Sequence, residues 1–219
     1  MTIAVSGGTV ERHGGIVTWG AASLPMAAEE QSGDLCSVWS PTDGALIAVV
    51  DGSGHGPEAA EAARLAADAM APHPQESPVA LILRSHERLR GTRGAAMTVA
   101  SLNLFDCTMT WLGVGNVEAV LCRAGDADRQ ESERVLLRAG VVGFRLPQRL
   151  KAEVIPLRHC DTLIVATDGV KPEFADDTAI GGDPKQVAAR LLSQHNTQRD
   201  DALVFVAKYE QTGAHERAR

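Results

Sequence analysis

Apolar runs that end at aspartate-glycine pairs constrain the fold of this chain most strongly. ALIAVV leads into Asp51-Gly52, and TLIVAT leads into Asp168-Gly169. A short, nearly continuous apolar run is typical of a strand buried on both faces, which predicts a central strand at 162–167. Because Asp-Gly is a favoured turn dipeptide, each strand is expected to stop at its aspartate.

Helical signals occur in three places between the strands. The alanine-rich segment PEAAEAARLAADAMA begins at Pro57, which suits a first helical turn, and its polar residues recur every three or four positions. A second helix is predicted over residues 79–90. A third is predicted over PKQVAARLLSQH, residues 184–195.

The other apolar segments predict strands: IVTWGAA, LCSVWS, MTVASLNLF, TMTWLGV, VEAVLCR and ALVFVAKY. The middle three of the chain, from MTVASLNLF to VEAVLCR, follow one another across short turns and are predicted to form an antiparallel meander. Strands in consecutive runs with clustered helices favour an α+β domain, and a two-sheet antiparallel β-sandwich flanked by helices accommodates them. We expect a single domain over residues 1–210 and a frayed tail over 211–219.

Charge and composition exclude several classes of protein. The 21 lysines and arginines against 28 aspartates and glutamates give a net charge of −7, and no basic block suggests a nucleic-acid surface. No stretch reaches the roughly 18 apolar residues of a membrane helix, and the N-terminus lacks the pattern of a signal peptide. The 4 cysteines form no C-x-x-C pair and are interpreted as reduced thiols. We therefore expect a cytoplasmic protein without membrane or nucleic-acid partners.

Four aspartates share a position at strand ends. Asp34 opens a predicted strand, Asp51 and Asp168 end strands, and Asp200 precedes the last strand. Because crowded carboxylates repel one another and are costly to bury, such a cluster implies oxygen-preferring Mg²⁺ or Mn²⁺. Two such ions, roughly 3.5–4 Å apart, could bridge a hydroxide and polarise a phosphoryl oxygen.

Each of these aspartates also has an ordinary interpretation. Asp51-Gly52 and Asp168-Gly169 are favoured turn dipeptides, and Asp34 after Ser-Gly is typical turn chemistry. Asp200-Asp201 is usually a solvated charge pair. The argument for a shared centre therefore depends on the ordered set and its flanking segments.

These flanking segments resemble a known family. SGD at 32–34, VVDGSGHG at 49–56, GAAMTVA at 94–100, VGN at 114–116, TLIVATDGV at 162–170 and RDDALVFV at 199–206 occur in the order found in the metal-dependent PPM (PP2C-like) serine/threonine phosphatases. The chain is most similar to their compact bacterial SpoIIE/RsbU branch, and within it to RsbX-type stressosome phosphatases. This resemblance spans nearly the whole chain.

The resemblance implies a PP2C-like sandwich, two divalent cations, Mn²⁺ or Mg²⁺, and a role for each motif residue. Asp51 would bridge both cations, and Gly52 would offer its carbonyl oxygen to the second. Asp34 would complete that second site, whereas Asp168 and Asp200 would bind the first. Asp51 and Asp168 are the expected centre of catalysis.

Other residues depart from the family pattern or have weaker assignments. Ser53 stands where many larger relatives carry a histidine, and His55 is a possible phosphate or proton-transfer contact, with structural support as its alternative. Leu203 occupies a position that often holds threonine. Asp201 is expected to orient its neighbour rather than bind metal. Packing and turn formation are assigned to Thr98 and Asn116.

Other phosphatase and nucleotide chemistries lack their motifs. A cysteine-nucleophile phosphatase needs arginine six residues after the cysteine, but the residues found there are Thr42, Gly113, Asp128 and Ala166. No Walker-type P-loop occurs. The remaining alternative is a catalytically silent fold that only binds a signalling partner. Its usual signature would be loss of the carboxylates, and all four are present.

The RsbX-type resemblance also implies a substrate, a phosphorylated STAS-domain protein of a stressosome scaffold. The alternative substrate, typical of RsbU and SpoIIE, is a phosphorylated anti-sigma-factor antagonist. The 171–183 segment KPEFADDTAIGGD is a candidate surface for choosing between partners, or an ordinary solvated loop. A monomer is expected.

Overall fold

The computed structural model describes residues 2–27, 29–124, 131–177 and 180–212. Its elements in chain order are β1 (Ala4–Arg12), β2 (Gly15–Leu24), β3 (Asp34–Trp39), β4 (Gly44–Gly52), α1 (Pro57–Met70), α2 (Pro78–Arg88), β5 (Ala95–Asn103), β6 (Thr108–Val114), β7 (Glu118–Cys122), β8 (Ser132–Arg134), β9 (Leu137–Arg138), β10 (Glu153–Pro156), β11 (Thr162–Ala166), a 3₁₀ helix (Pro172–Asp176), α3 (Pro184–His195) and β12 (Ala202–Gln211). The predicted third helix has the bounds of α3.

The strands form two sheets. The first has the order β1-β2-β12-β11-β7-β8, and the second has the order β10-β6-β5-β4-β3. Pairing is antiparallel throughout these sheets, and the short β9 adds a parallel pairing to β6. The predicted α+β fold with a two-sheet sandwich is confirmed.

The apolar run of β4 is explained by its burial on both faces. Ala45, Ile47 and Val49 point into the core between the two sheets, together with Trp111 and Phe205. The alternate residues of β4 face α1 and α2. Since both faces exclude water, the strand needs no polar alternation.

Helices cover the outer face of each sheet. α1 and α2 pack on the second sheet, where Met70, Leu81 and Ile82 are fully buried. α3 packs on the first sheet through Val187 and Leu191. The molecule is therefore layered as helix, sheet, sheet and helix.

The predicted meander of β5, β6 and β7 is wrong. β5 and β6 pair in the second sheet, whereas β7 pairs with β11 in the first. The chain changes sheets at Gly115, which has a φ of 93°, and Val117 fills the core between the sheets. A left-handed glycine and one buried valine thus send the chain to the opposite sheet instead of back along β6.

Two further segments differ from expectation. β1 carries the sequence AVSGGTVER and is largely exposed, so it lacks the apolar alternation that predicts strands. β12 continues to Gln211, and residues 213–219 of the predicted frayed tail lie outside the described residues. No helix in the described ranges is both long and apolar enough to cross a membrane.

Candidate metal centre

The four predicted aspartates come to one end of the sandwich from both sheets. Asp34 opens β3 and Asp51 is the next-to-last residue of β4, and these two residues are direct partners in the antiparallel pairing. Asp168 lies two residues beyond β11, and Asp200 lies two residues before β12. Because β11 and β12 are neighbours in the other sheet, the candidate centre lies where the ends of the two sheets meet.

Three of these side chains line one cleft. Its volume is about 330 Å³, and its lining residues are Asp51, Ser53, Gly54, Ala96, Gly115, Asn116, Gly140, Val141, Asp168 and Asp200. The structure thus brings Asp51 together with Asp168 and Asp200, which follow it by more than a hundred residues of chain. Their assignment as metal ligands stays a prediction.

The electrostatics of the cleft are unfavourable for carboxylates alone. Burial raises the pKa of Asp51 to about 8, with further contributions from the charges of Asp168 and Asp200. Burial also raises the pKa of Asp168, and the charge of Asp200 adds to it. None of the ion pairs in the described ranges involves these residues. A bound cation would relieve this repulsion.

Asp34 is held by a neutral donor from the opposite sheet. Its side chain is buried, and Oδ2 accepts a hydrogen bond of 2.7 Å from Oγ1 of Thr167. That hydroxyl in turn accepts 2.9 Å from the backbone N–H of Leu203. Burial first, and then the charge of Asp51, raise the pKa of Asp34 well above its ordinary value.

Gly52 is required by the close approach of α1. A Cβ atom at this position would lie 2.0 Å from the carbonyl oxygen of Ala59. The backbone N–H of Gly52 donates 3.0 Å to the carbonyl oxygen of Gly33, which ties this strand end to the loop before Asp34. The role of the Gly52 carbonyl oxygen as a ligand stays a prediction.

Asp201 has the orienting geometry that its sequence position suggests. It is 3% exposed, and its two oxygens each accept 2.7 Å from a backbone N–H, one of Met26 and one of Gly33. With both oxygens occupied, its carboxylate fixes the 26–33 loop against the start of β12. The partners lie 175 and 168 residues away, so no sequence pattern indicates these contacts.

The assignment of Asn116 to turn formation alone is wrong. Its Nδ2 donates a hydrogen bond of 2.6 Å to Oδ2 of Asp168, and the residue lines the cleft. The VGN motif was the available signal, because a side-chain amide directly after a turn glycine can reach across to a neighbouring strand end. Thr98 does have a packing role, since its buried hydroxyl donates 2.6 Å to the carbonyl oxygen of Val117.

His55 lies at the rim rather than among the residues that line the cleft. Its side chain is 50% exposed, and Nδ1 is 2.8 Å from Oε1 of Glu29. This contact links the 49–56 motif to the loop that Asp201 fixes. The geometry favours the structural alternative for His55, and a phosphate or proton-transfer contact stays a prediction.

The donor set suits a hard divalent cation. Side-chain oxygens of Asp34, Asp51, Asp168 and Asp200, with no sulfur or imidazole, are the ligands that Mg²⁺ and Mn²⁺ prefer. Within the ranges that the structure describes, however, no three acidic, histidine or cysteine side chains converge into a preassembled ligand set. The oxygen donors therefore suit Mg²⁺ or Mn²⁺, whereas the arrangement of these residues around a bound ion stays a prediction.

The structure resembles solved phosphatase structures over most of its length. The phosphoserine phosphatase RsbX of Bacillus subtilis (strain 168) is 25% identical over 162 residues, which cover 74% of this chain and 78% of that protein. A crystal structure of RsbX in complex with magnesium superposes with a TM-score of 0.78 at 21% identity, covering 94% of this chain and 100% of the other.

Two other solved structures share the fold. One comes from a study of the bacterial stressosome as a modular system that has been adapted to control secondary messenger signalling. It has a TM-score of 0.77 at 23% identity, and the match covers 87% of this chain and 98% of the other chain. The catalytic domain of the serine threonine protein phosphatase PstP in complex with 2 manganese ions has a TM-score of 0.65 at 16% identity, covering 95% of this chain and 100% of its own.

A family model gives the assignment. Residues 41–216 match the model described as Stage II sporulation protein E (SpoIIE). Asp51, Asp168 and Asp200 fall inside this match, and Asp34 precedes it. Since the match covers most of the chain, the protein belongs to the SpoIIE family.

Proposed function

We propose that this chain is a protein serine/threonine phosphatase that requires two divalent cations, Mn²⁺ or Mg²⁺. The observation that carries the proposal is the cleft lined by Asp51, Asp168 and Asp200, whose carboxylates have no lysine or arginine partner among the described residues. The similarity to RsbX, a phosphoserine phosphatase, and to PstP with 2 manganese ions supports it.

Each residue of the centre has a part in this proposal. Asp51 would bridge the two cations, with Asp34 and the Gly52 carbonyl oxygen at the second and Asp168 and Asp200 at the first. When bound, the cations would activate water and stabilise charge on the phosphoryl oxygens. The reaction is direct hydrolysis, which transfers the phosphoryl group to water and releases the free hydroxyl side chain and inorganic phosphate.

The surrounding residues orient these ligands before substrate arrives. Thr167 donates to Asp34, and Asn116 donates to Asp168, so each of these carboxylates keeps one oxygen in a set direction. Asp201 holds the 26–33 loop beside Asp34. Such outer contacts fix the direction of metal ligands and tune their basicity.

The proposed substrate is a phosphorylated STAS-domain protein of a stressosome. We propose that a monomeric enzyme dephosphorylates it in the cytoplasm. The similarity to RsbX and to the stressosome-related structure supports this choice. The second candidate is a phosphorylated anti-sigma-factor antagonist, which the SpoIIE family match supports.

The test offers both phosphoproteins in parallel to the purified chain, with Mn²⁺, with Mg²⁺ and with a chelator. We expect cation-dependent release of inorganic phosphate, faster from the STAS-domain scaffold. Faster release from the antagonist would support the second candidate. Binding of either phosphoprotein without release of phosphate, at saturating cation, would support the catalytically silent alternative and contradict the proposal.

A further inference from the structure

A second cavity opens directly beside the candidate metal centre. Its volume is about 530 Å³, and it is lined by Asp168, Lys171, Thr197, Arg199 and Asp200. Two of these residues, Asp168 and Asp200, also line the metal cleft. A residue close in sequence to a phosphorylated side chain bound in the cleft can therefore reach this cavity.

The two walls of the cavity are tied together by backbone contacts. The N–H of Lys171 donates 2.8 Å to the carbonyl oxygen of His195, and the N–H of Thr197 donates 2.9 Å to the carbonyl oxygen of Gly169. These bonds join the turn after β11 to the loop before β12. The main-chain positions of Lys171 and Arg199 are consequently set relative to Asp168.

The loop before β12 also contains an unusual backbone conformation. Gln198 has a φ of 59°, in the left-handed region that residues other than glycine rarely adopt. Its N–H donates 2.8 Å to Oδ1 of Asn196, which holds the turn. Such conformations persist only where the surrounding structure fixes them, and the next residue here is Arg199.

The two basic side chains that line the cavity have no acidic partner among the described residues. Neither Lys171 nor Arg199 has a carboxylate within 4.0 Å in the described ranges. The cavity is also lined by the carboxylates of Asp168 and Asp200, whose charges the proposed metal ions would neutralise. With these ions bound, the two basic side chains give the cavity a local attraction for an anion.

We propose that Lys171 and Arg199 form a specificity subsite for an anionic side chain close to the phosphorylated residue of the substrate. This inference rests on the proposed phosphatase function. Because the phosphoryl group undergoing hydrolysis belongs in the aspartate cleft, the group taken here is a second one, either a carboxylate or another phosphate. Consecutive residues of an extended chain are spaced by about 3.3–3.6 Å, so it lies within a few positions of the phosphoserine.

The test uses three phosphoserine peptides that differ only in the flanking residues: neutral glutamine, glutamate, or a second phosphoserine. The protein is compared with the double variant Lys171→Gln/Arg199→Gln and with the control Arg88→Gln/Arg90→Gln, which removes the same charge from the end of α2. Non-hydrolysable phosphonate analogues of the same peptides give binding constants by fluorescence polarisation. Release of p-nitrophenol from p-nitrophenyl phosphate tests the phosphatase function separately.

We expect the wild type and the control to prefer both anionic peptides over the neutral one by about fivefold, the size of two partly exposed charge pairs, in binding and in kcat/KM. The cavity variant should lose this preference. A preference confined to the glutamate or to the doubly phosphorylated peptide would identify which anion is taken. Equal discrimination by the wild type and the cavity variant, in the binding assay, would overturn the proposal whether or not any peptide is hydrolysed.

Discussion

Strand β11 has a carboxylate just beyond each of its ends, a buried one at Asp161 and an exposed one at Asp168, and the two are compensated in opposite ways. Asp161, just before the strand, is 1% exposed and pairs with the Arg123 guanidinium at 2.5 Å. Its Oδ2 also accepts 2.7 Å from the backbone N–H of Arg158. Asp168, beyond the other end, accepts a hydrogen bond from the neutral amide of Asn116, has no ion pair among the described residues, and lines one cleft with Asp51 and Asp200.

The difference separates a structural carboxylate from a functional one. A buried carboxylate paired with a guanidinium has its charge compensated within the protein, and removal of the guanidinium leaves an uncompensated charge. The carboxylates of Asp51, Asp168 and Asp200 repel one another, so removal of one of these negative charges lowers the electrostatic repulsion at that end. Substitutions at the two ends of β11 should therefore change the free energy of unfolding in opposite directions.

The largest effect is expected from removal of charge at the cation end. Asp51→Asn and Asp168→Asn should each lower turnover by about three orders of magnitude, as does the loss of one preorganised charge-stabilising group elsewhere. The free energy of unfolding in chelator should stay equal or rise, because carboxylate repulsion falls. Phosphate-release kinetics and denaturant unfolding measure the two quantities, with the exposed Asp68→Asn as the matched control. Turnover near that of the wild type at limiting Mn²⁺ in both variants would contradict the assignment.

The next effect concerns stability at the other end of β11. Arg123→Met should lower the free energy of unfolding by about 3–5 kcal/mol, because Asp161 would stay buried without its cation. Denaturant unfolding checks this value, and Arg64→Met, which removes an exposed arginine from α1, serves as the control with little expected change. A wild-type midpoint in the Arg123 variant would show that Asp161 is not held by this pair.

Metal ions and pH should change stability through the carboxylates at the Asp168 end of β11 only. The folded pKa of Asp51 is about 8 against an ordinary value of 3.8, so the folded protein binds more protons than the unfolded chain between these values. The contribution of Asp51 to stability in chelator should be greatest below pH 4 and be lost as the pH rises towards 8. Mg²⁺ at a hundred times its Kd should add about 2.7 kcal/mol to the free energy of unfolding at pH 8. Thermal unfolding with and without Mg²⁺ measures both trends, and Asp51→Asn should flatten them. A stability in chelator that rises between pH 4 and 8 would contradict the proposed repulsion.

The smallest effect is expected from a neutral donor. Thr167→Val removes the hydroxyl that donates to Asp34 while keeping the side-chain volume, and it should weaken cation binding about tenfold. Calorimetric titration with Mn²⁺ measures this change, and Thr98→Val, whose hydroxyl contacts only the backbone of Val117, is the matched control. Equal affinities for Mn²⁺ in the two variants would show that the Thr167 hydroxyl does not support cation binding.

Much of this arrangement was predictable from local sequence patterns. The apolar runs before Asp51 and Asp168 correctly predicted strands that end at the candidate centre, and the bounds of α3 follow its helical pattern. Contacts between distant segments were not predictable. Asp201 reaches Met26 and Gly33 across most of the chain, and the pairing of Arg123 with Asp161 joins two strands through side chains that have no shared motif.

The failed meander has the same physical origin. Local turn signals describe where a strand ends, but they do not decide which sheet the next strand joins. Here the direction is decided by Val117, whose burial between the sheets is visible only once both sheets exist. The cations of the second cavity were missed for a similar reason, since Lys171 and Arg199 become neighbours only through the backbone contacts of their two loops.

The position of the candidate centre between two sheets also has a consequence for folding. Asp34 and Asp51 meet within one local hairpin, whereas Asp168 and Asp200 arrive with strands of the other sheet. A partly folded chain with only the hairpin formed would hold two of the four carboxylates and bind cations weakly. Full metal affinity therefore requires both sheets, so cation-dependent fluorescence or calorimetric signals during refolding would time the closure of the sandwich itself.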